Sequence, residues 1–411
     1  MTSNPAGLSV FRLIAEELNG GEGGPARAKF LAEAALVSRA AGAIGAFSHS
    51  RIEQAVAAIE RELRSFRHMA LADNSLRAAD LLYPYAALSG RIEPIPFYEI
   101  RLDAFARRTS GFADRPGYKC CEDKFILYMA GRGRLPAFCD ADWPRFARRV
   151  HDFNAEHCYW FTHRYLYATD MGEADIGIDW VAPAMLLIVA KAAQWGDPDL
   201  FFEAAFCVLS THPEPQWVFA VDALSETLLP NLLAKASDNM RDVYHELFLY
   251  SLFRMRRESL GLSPAASDDG SVQALTGLVD ALLSKSPDKI AAGFFAAQPL
   301  CRHPFVAEIC LEKLEWLKDV ALTGSLFDNE ALRSEAEPAP DLYAEYLKKV
   351  DGAAAAICFA HGIPGTQYPI SEWTFAPVPL PPAISSPSAS PAPVRRPACR
   401  DSGFPASAAL R

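Results

Sequence analysis

Apolar residues recur at spacings of three and four along nearly the whole chain, while strict alternation with β-branched enrichment is almost absent. This pattern predicts an all-α protein. The periodic segments place helices at 8–19, 25–47, 49–71, 75–89, 97–109, 121–130, 140–170, 178–195, 197–211, 215–233, 238–258, 271–284, 286–297, 304–323 and 340–360. Between them lie short connectors rich in Pro, Gly, Asp and Asn, as antiparallel helix neighbours require. At Gly196-Asp-Pro198 one helix ends and another begins, with Asp197 as N-cap and Pro198 in the first turn. Asp140-Ala-Asp142 before Trp143-Pro144 has the same chemistry. Short helices packed as successive antiparallel pairs form either an open solenoid or a closed ring of hairpins, and no repeat of fixed length runs through the chain, so a standard repeat family is not supported.

Two segments depart from the helical pattern. Ser263-Pro-Ala-Ala-Ser-Asp-Asp-Gly-Ser271 reads as a surface loop, dividing a main helical domain at 1–262 from C-terminal helices at 263–362 that pack on the same body. The remainder, 363–411, turns to Pro, Ser and Ala, most strongly beyond Pro377, and is expected to be a largely disordered tail. A Pro-rich tail of this kind offers a segment for docking a protein partner.

Half of the 411 residues are apolar and 22% are charged, enough apolar material for a substantial core. The net charge of −10, with no basic stripe interleaved with aromatics, argues against nucleic acid. Arg254-Met-Arg-Arg257 reads as a solvated helix end. No signal-like N-terminus and no apolar run of membrane-spanning length occurs, so a cytoplasmic protein without a membrane partner is expected. Nine cysteines without a C-x-x-C pair signal neither a disulfide framework nor a zinc knuckle, and the vicinal Cys120-Cys121 reads as two small packed thiols. There is no phosphate loop, nucleophile elbow or H-E-x-x-H pattern, and no cofactor is indicated.

The chemistry concentrates in the helix at 140–170. With His163 as origin and 100° per residue, Asp152, Glu156, Tyr159, Tyr167 and Asp170 fall within about 40° of it. Carboxylates, tyrosines and an imidazole on one face suit proton transfer or metal binding. The opposite side, with Asn154, Phe161, Tyr165, Ala168 and nearby Cys158, is the expected core contact. Asp170 stands near the helix C-terminus, where the dipole disfavours a carboxylate, which calls for a compensating partner such as a cation, a metal or a hydrogen-bond network. His163 and Asp170 are about 10 Å apart along a straight helix, so they would meet only through a shared cavity.

The segment Phe161-Thr-His-Arg-Tyr-Leu-Tyr-Ala-Thr-Asp-Met-Gly172 resembles the Thr-His-x-x-(Phe/Leu)-Tyr-x-Thr-Asp-x-Gly signature of a bacterial all-helical family known as a domain of unknown function. A second segment, Tyr244-His-Glu-Leu-Phe-Leu-Tyr-Ser-Leu252, is similar to that family's later Tyr-His motif, and the overlap spans roughly 75–260. This resemblance implies a toroid-like helical scaffold, with Thr162, His163, Tyr167, Thr169, Asp170, Gly172, Tyr244 and His245 at the matching positions. The chain departs from the pattern at Glu246 and Phe248, which replace smaller or hydroxyl-bearing residues.

Two functions follow as expectations. In the first, an enzyme acts by acid–base chemistry on a small molecule or peptide, with His163 as acid or base, Asp170 orienting it and Tyr167 completing the catalytic set. Tyr159, Glu156, Thr162, Tyr244 and His245 would line the binding site. In the second, a non-catalytic helical scaffold uses the same stripe to recognise a peptide or protein. No metal is assigned; one held by His163, Asp170 and His245 would need ligands from separate helices.

Overall fold

The computed structural model describes residues 10–20, 25–44, 49–66, 78–109, 118–137, 154–178, 180–211, 213–262, 269–299, 303–322 and 340–361. The described residues are all-α, with fifteen α-helices, one 3-10 turn and no strand. In chain order the α-helices are α1 Val10–Gly20, α2 Pro25–Ile44, α3 His49–Ser65, α4 Ala78–Ala87, α5 Pro96–Thr109, α6 Tyr118–Met129, α7 Ala155–Ala168 and α8 Val181–Trp195. They continue with α9 Pro198–Leu209, α10 Pro215–Asp238, α11 Tyr244–Ser259, α12 Asp269–Leu283, α13 Pro287–Ala297, α14 Pro304–Leu322 and α15 Pro340–His361. All of them fall in one compact unit, residues 1–370. The expected tail at 363–411 and the Asp140–Pro144 helix start lie outside the described residues.

The most apolar pair sits deepest. Every residue from Val181 to Ala192 in α8 and from Leu200 to Leu209 in α9 is buried, so these helices have no solvent face and must be enclosed on all sides. The punctuation between them works as the sequence predicts. Gly196 takes the left-handed C-cap conformation (φ 68°), Asp197 accepts a hydrogen bond from the Leu200 N–H at 3.1 Å, and Pro198 opens the first turn of α9. Some boundaries differ. The helix expected over 140–170 begins at Ala155, because Asn154 is extended (ψ 124°) and caps it, its side chain accepting from the His157 N–H at 3.2 Å. A helix expected from 238 begins at Tyr244, because α10 runs on through Pro230 to Asp238 and a 3-10 turn at Met240–Asp242 redirects the chain.

Six helices pack in a circuit: α2 on α4, α4 on α6, α6 on α7, α7 on α9, α9 on α11, and α11 back on α2. Their contacts keep step along the chain. On α7 and α9, Tyr159 meets Asp199, His163 meets Glu203, and Gly172 lies against Ser210. On α9 and α11, Asp199 meets His245, Phe202 meets Tyr250 and Phe253, and Arg256 covers Phe206. On α6 and α7, Glu122 meets Tyr167 and Tyr128 meets Asp170. Along α2, Glu33 faces His245 at the start of α11 while Arg39 faces Asp170 beyond the end of α7. These four helices and α6 therefore run in the same direction. Other elements return outside them: α3 packs on α2, α5 on α4 and α6, and both α8 and α10 on α9. The later helices are joined to this body by α12 on α8 and α10, and by α14 on α8.

One ion pair in the first layer is fully enclosed. Arg27 of α2 holds Glu62 of α3 through Nε (2.7 Å) and Nη2 (2.9 Å), and also reaches the Leu18 carbonyl at 3.2 Å. Both side chains are at least nine-tenths buried, so neither charge has water to fall back on. Glu62→Ala should cost about 3–5 kcal/mol in chemical denaturation, because an unpaired guanidinium stays buried. Removing the exposed Arg12–Glu16 pair should change stability by less than about 0.5 kcal/mol.

Candidate functional site

The centre of the helix circuit is polar, and α9 organises it. Asp199 and Glu203 lie four residues apart on one face of an otherwise apolar helix, and each holds a histidine from a neighbouring helix. Glu203, 2% exposed, comes within 2.9 Å of His163 Nδ1. The same nitrogen donates to the Tyr159 carbonyl at 2.7 Å, and one N–H cannot point at both, so Glu203 acts chiefly through its charge. Burial alone would lower the His163 pKa. The charge of Glu203, the hydrogen bond to the Tyr159 carbonyl and the charge of Glu122 together outweigh it and raise the pKa to about 9.

His245 is held at both ends of its ring. Nδ1 meets Glu33 Oε2 of α2 at 2.9 Å and Nε2 meets Asp199 Oδ1 of α9 at 2.9 Å. Two carboxylates on two ring nitrogens require the doubly protonated imidazolium. Against the effect of burial, these partners raise the pKa to about 11. Asp199 responds in the opposite sense. Burial opposes its ionisation, but the His245 imidazolium 2.9 Å away and a hydrogen bond from Tyr159 at 3.0 Å hold it below the usual carboxylate range. Tyr159 also sits 3.4 Å from both oxygens of Asp197, and its own phenol is pushed far up by burial and by the surrounding carboxylates.

Further along the axis, Tyr167 donates to Glu122 at 3.4 Å and stacks on Phe125. The buried phenol of Tyr83 on α4 meets Tyr167, and burial with Glu122 close by drives its pKa well up. Beyond the end of α7 the sign of charge changes. Asp170 accepts from Arg39 Nη2 at 2.9 Å and from Tyr128 at 3.1 Å. The cation anticipated for a carboxylate at this helix end is thus Arg39.

The Thr-Asp-x-Gly segment is a tightly determined turn. Thr169 donates to the Tyr165 carbonyl at 2.8 Å and accepts from the Gly172 N–H at 3.0 Å. Asp170, Met171 and Gly172 are all left-handed, at φ 48°, 58° and 82°. A Cβ on Gly172 would lie 2.3 Å from Ser210 Oγ, so glycine is required by space as well as by φ.

The expected site residues therefore separate into groups. His163, Tyr159 and His245 share one network, linked through Asp199 and Glu203 of α9, and Tyr244 stands beside them against Phe30. Asp170 does not orient His163, because it is committed to Arg39 and Tyr128 at the other end of the helices; Glu203 takes the place expected for it. Tyr167 is buried between these levels. Thr162 is buried and bonded to the Tyr159 carbonyl, and Glu156 is exposed in the first turn of α7. Asp152 lies outside the described residues. Phe161, Tyr165, Ala168 and Cys158 form the core side of α7 as expected, but Asn154, expected with them, is exposed as the cap of that helix. Of the arginines expected to be solvated at the end of α11, Arg254 is partly exposed whereas Arg256 and Arg257 are largely enclosed. Arg256 pairs with Glu173, and Arg257 with Asp222. Among the described residues no group of His, Cys, Asp and Glu has the arrangement of a metal site.

The Thr-His and Thr-Asp-x-Gly segments, with their helical surroundings, fall in a region matched by one family model, Domain of unknown function (DUF6895), over residues 6–231. That is more than half of the chain. The protein belongs to the DUF6895 family. No curated protein and no solved structure matches it. The DUF6895 segment supplies Glu33, Glu122, Tyr159, His163, Asp170, Asp199 and Glu203, whereas Tyr244 and His245 come from beyond it. Among the described residues no helix is long and apolar enough to cross a membrane.

Two measurements test this geometry. The folded-state pKa of His163, about 9, lies above its ordinary 6.5, so its contribution to stability is complete below pH 6.5 and is lost as pH rises through about 9. The shift corresponds to roughly 3 kcal/mol, so denaturation midpoints should fall more between neutral and about pH 10 in the native chain than in His163→Gln. Separately, Gly172→Ala should cost roughly 2–4 kcal/mol in denaturant unfolding, with partial recovery when combined with Ser210→Gly.

Proposed function

We propose that this DUF6895 protein is a closed, α/α-toroid-like ring whose centre receives a small molecule, and that His163 serves there as proton donor. The observation that carries this reading is the state of His163. Its imidazole stands 2.9 Å from a carboxylate that is itself sealed, yet 29% of its own side chain remains exposed. A purely structural ion pair at this depth would be sealed on both sides, as Arg27–Glu62 is. With a pKa of about 9, His163 carries its proton at neutral pH and acts as an acid toward a carbonyl or alkoxide-like oxygen. Tyr159 and Tyr244 shape the approach; after the proton passes to the substrate oxygen, the neutral imidazole takes a new one from water, and the nearby Glu203 charge favours that return.

A second reading draws on His245. Because both of its ring nitrogens are taken by carboxylates from α2 and α9, it ties the first helix of the circuit to the last, as a clasp would in a non-catalytic scaffold. The two roles coexist at different residues: His245 closes the ring and His163 faces its contents.

A thermal-shift panel of small carboxylic acids, amides and esters separates the readings. Binding of at least one compound at neutral pH, lost above about pH 9 and lost in His163→Gln without a matching fall in folding, supports proton donation. Compounds that bind equally well to His163→Gln, or no binding across the panel, would leave the scaffold reading in its place.

A further inference from the structure

At the opposite end of the circuit, where α2 and α7 finish, lies a cavity of about 340 Å³ that the His163 site does not use. Its floor is Ala40, Gly42 and Ala43 of α2, and its walls carry Arg39, Arg91, Glu53, Asp170, Met171 and Glu173. Several properties make it more than a surface hollow. One wall is strained backbone: Asp170 and Met171, neither a glycine, are both left-handed (φ 48° and 58°) as the chain leaves α7. The Thr169 cap and the close fit of Gly172 on Ser210 hold that conformation in place.

The arginines are fixed in position and retain donors. Arg39 spends Nε and Nη2 on Asp170, and among the described residues its Nη1 has no partner. Arg91 spends Nη1 on the Ser38 carbonyl (2.9 Å) and Nη2 on Glu53 (2.9 Å), leaving Nε without a bond among the described residues. Its guanidinium lies close over Gly42, where a Cβ would approach Nη1 to 3.1 Å, so the absence of a side chain there lets the arginine lie against the helix. Facing them, Glu173 gives Oε1 to Arg256 at 2.6 Å and is one-third exposed on the cavity wall; Glu53 is half exposed.

Guanidinium and carboxylate groups thus share one small cavity. A lone anion would meet the acids, and a lone cation the arginines. A molecule bearing both signs a few ångströms apart satisfies each. We propose that this cavity binds a small zwitterion of the α-amino-acid type, its carboxylate on Arg39 Nη1 and Arg91 Nε and its ammonium on Glu173 and Glu53. The site is independent of the role given to His163.

Calorimetric titration of the full chain with the free standard amino acids, one at a time, tests it, with butyrate and n-butylamine as single-charge controls. At least one amino acid should bind about tenfold or more tightly than either control, and Arg91→Gln and Glu173→Gln should each weaken it about tenfold. Ala43→Phe, which fills the floor without altering charge, should abolish binding, while His163→Gln should leave it unchanged. No binding by any amino acid at millimolar concentration, equal binding of butyrate, or full binding by Ala43→Phe would overturn the proposal.

Discussion

A carboxylate on a helix with no solvent face needs a partner that carries a proton, and Glu203 on α9 imposes that condition on everything around it. It lies between Phe202 and Ala204 in a run buried from Leu200 to Leu209. Ionised and alone it would cost several kcal/mol, and His163 supplies the countercharge from α7. One turn earlier Asp199, less deeply buried, pairs with His245 from α11. Because each acid needs its own histidine at a fixed height, the register of α7, α9 and α11 is set by charge as well as by packing.

The common direction of α2, α6, α7, α9 and α11 sorts the chemistry by height. At the end where α9 and α11 begin, Asp197 and Asp199 sit in or beside a first turn, where the helix dipole favours negative charge. At the other end Asp170 lies past the last turn of α7 and depends on Arg39 and Tyr128. Between these levels Tyr167, Tyr83 and Glu122 extend polar contacts along the axis. The result is a polar axis inside a body whose remaining core is aliphatic and aromatic.

The helices were readable because spacing of apolar residues and short Pro, Gly and Asp connectors are local signals, and the Gly196–Pro198 junction shows how far such signals reach. The site was half legible. His163, Tyr159 and the Tyr244–His245 pair stood out as polar groups on patterned helices, but their carboxylate partners did not. Glu203 is a single acid in an apolar run, and Glu33 and Glu122 look like solvent-facing residues of amphipathic helices; only the return of α11 onto α2 shows what Glu33 is for. The helix dipole shows that Asp170 needs a partner, whether cation, metal or hydrogen-bond donor, yet Arg39 lies 131 residues away in the chain, so no local pattern could name it.

Nitrogen-15 spectra of the histidine rings, recorded across a pH series on the native chain, test the central claim most directly. Both His163 and His245 should be imidazolium at neutral pH, with His163 releasing its proton near pH 9 and His245 holding its own to about 11. A His163 ring that is neutral at pH 7 and titrates near its ordinary 6.5 would contradict the pairing with Glu203 on which the account of the ring's centre is built.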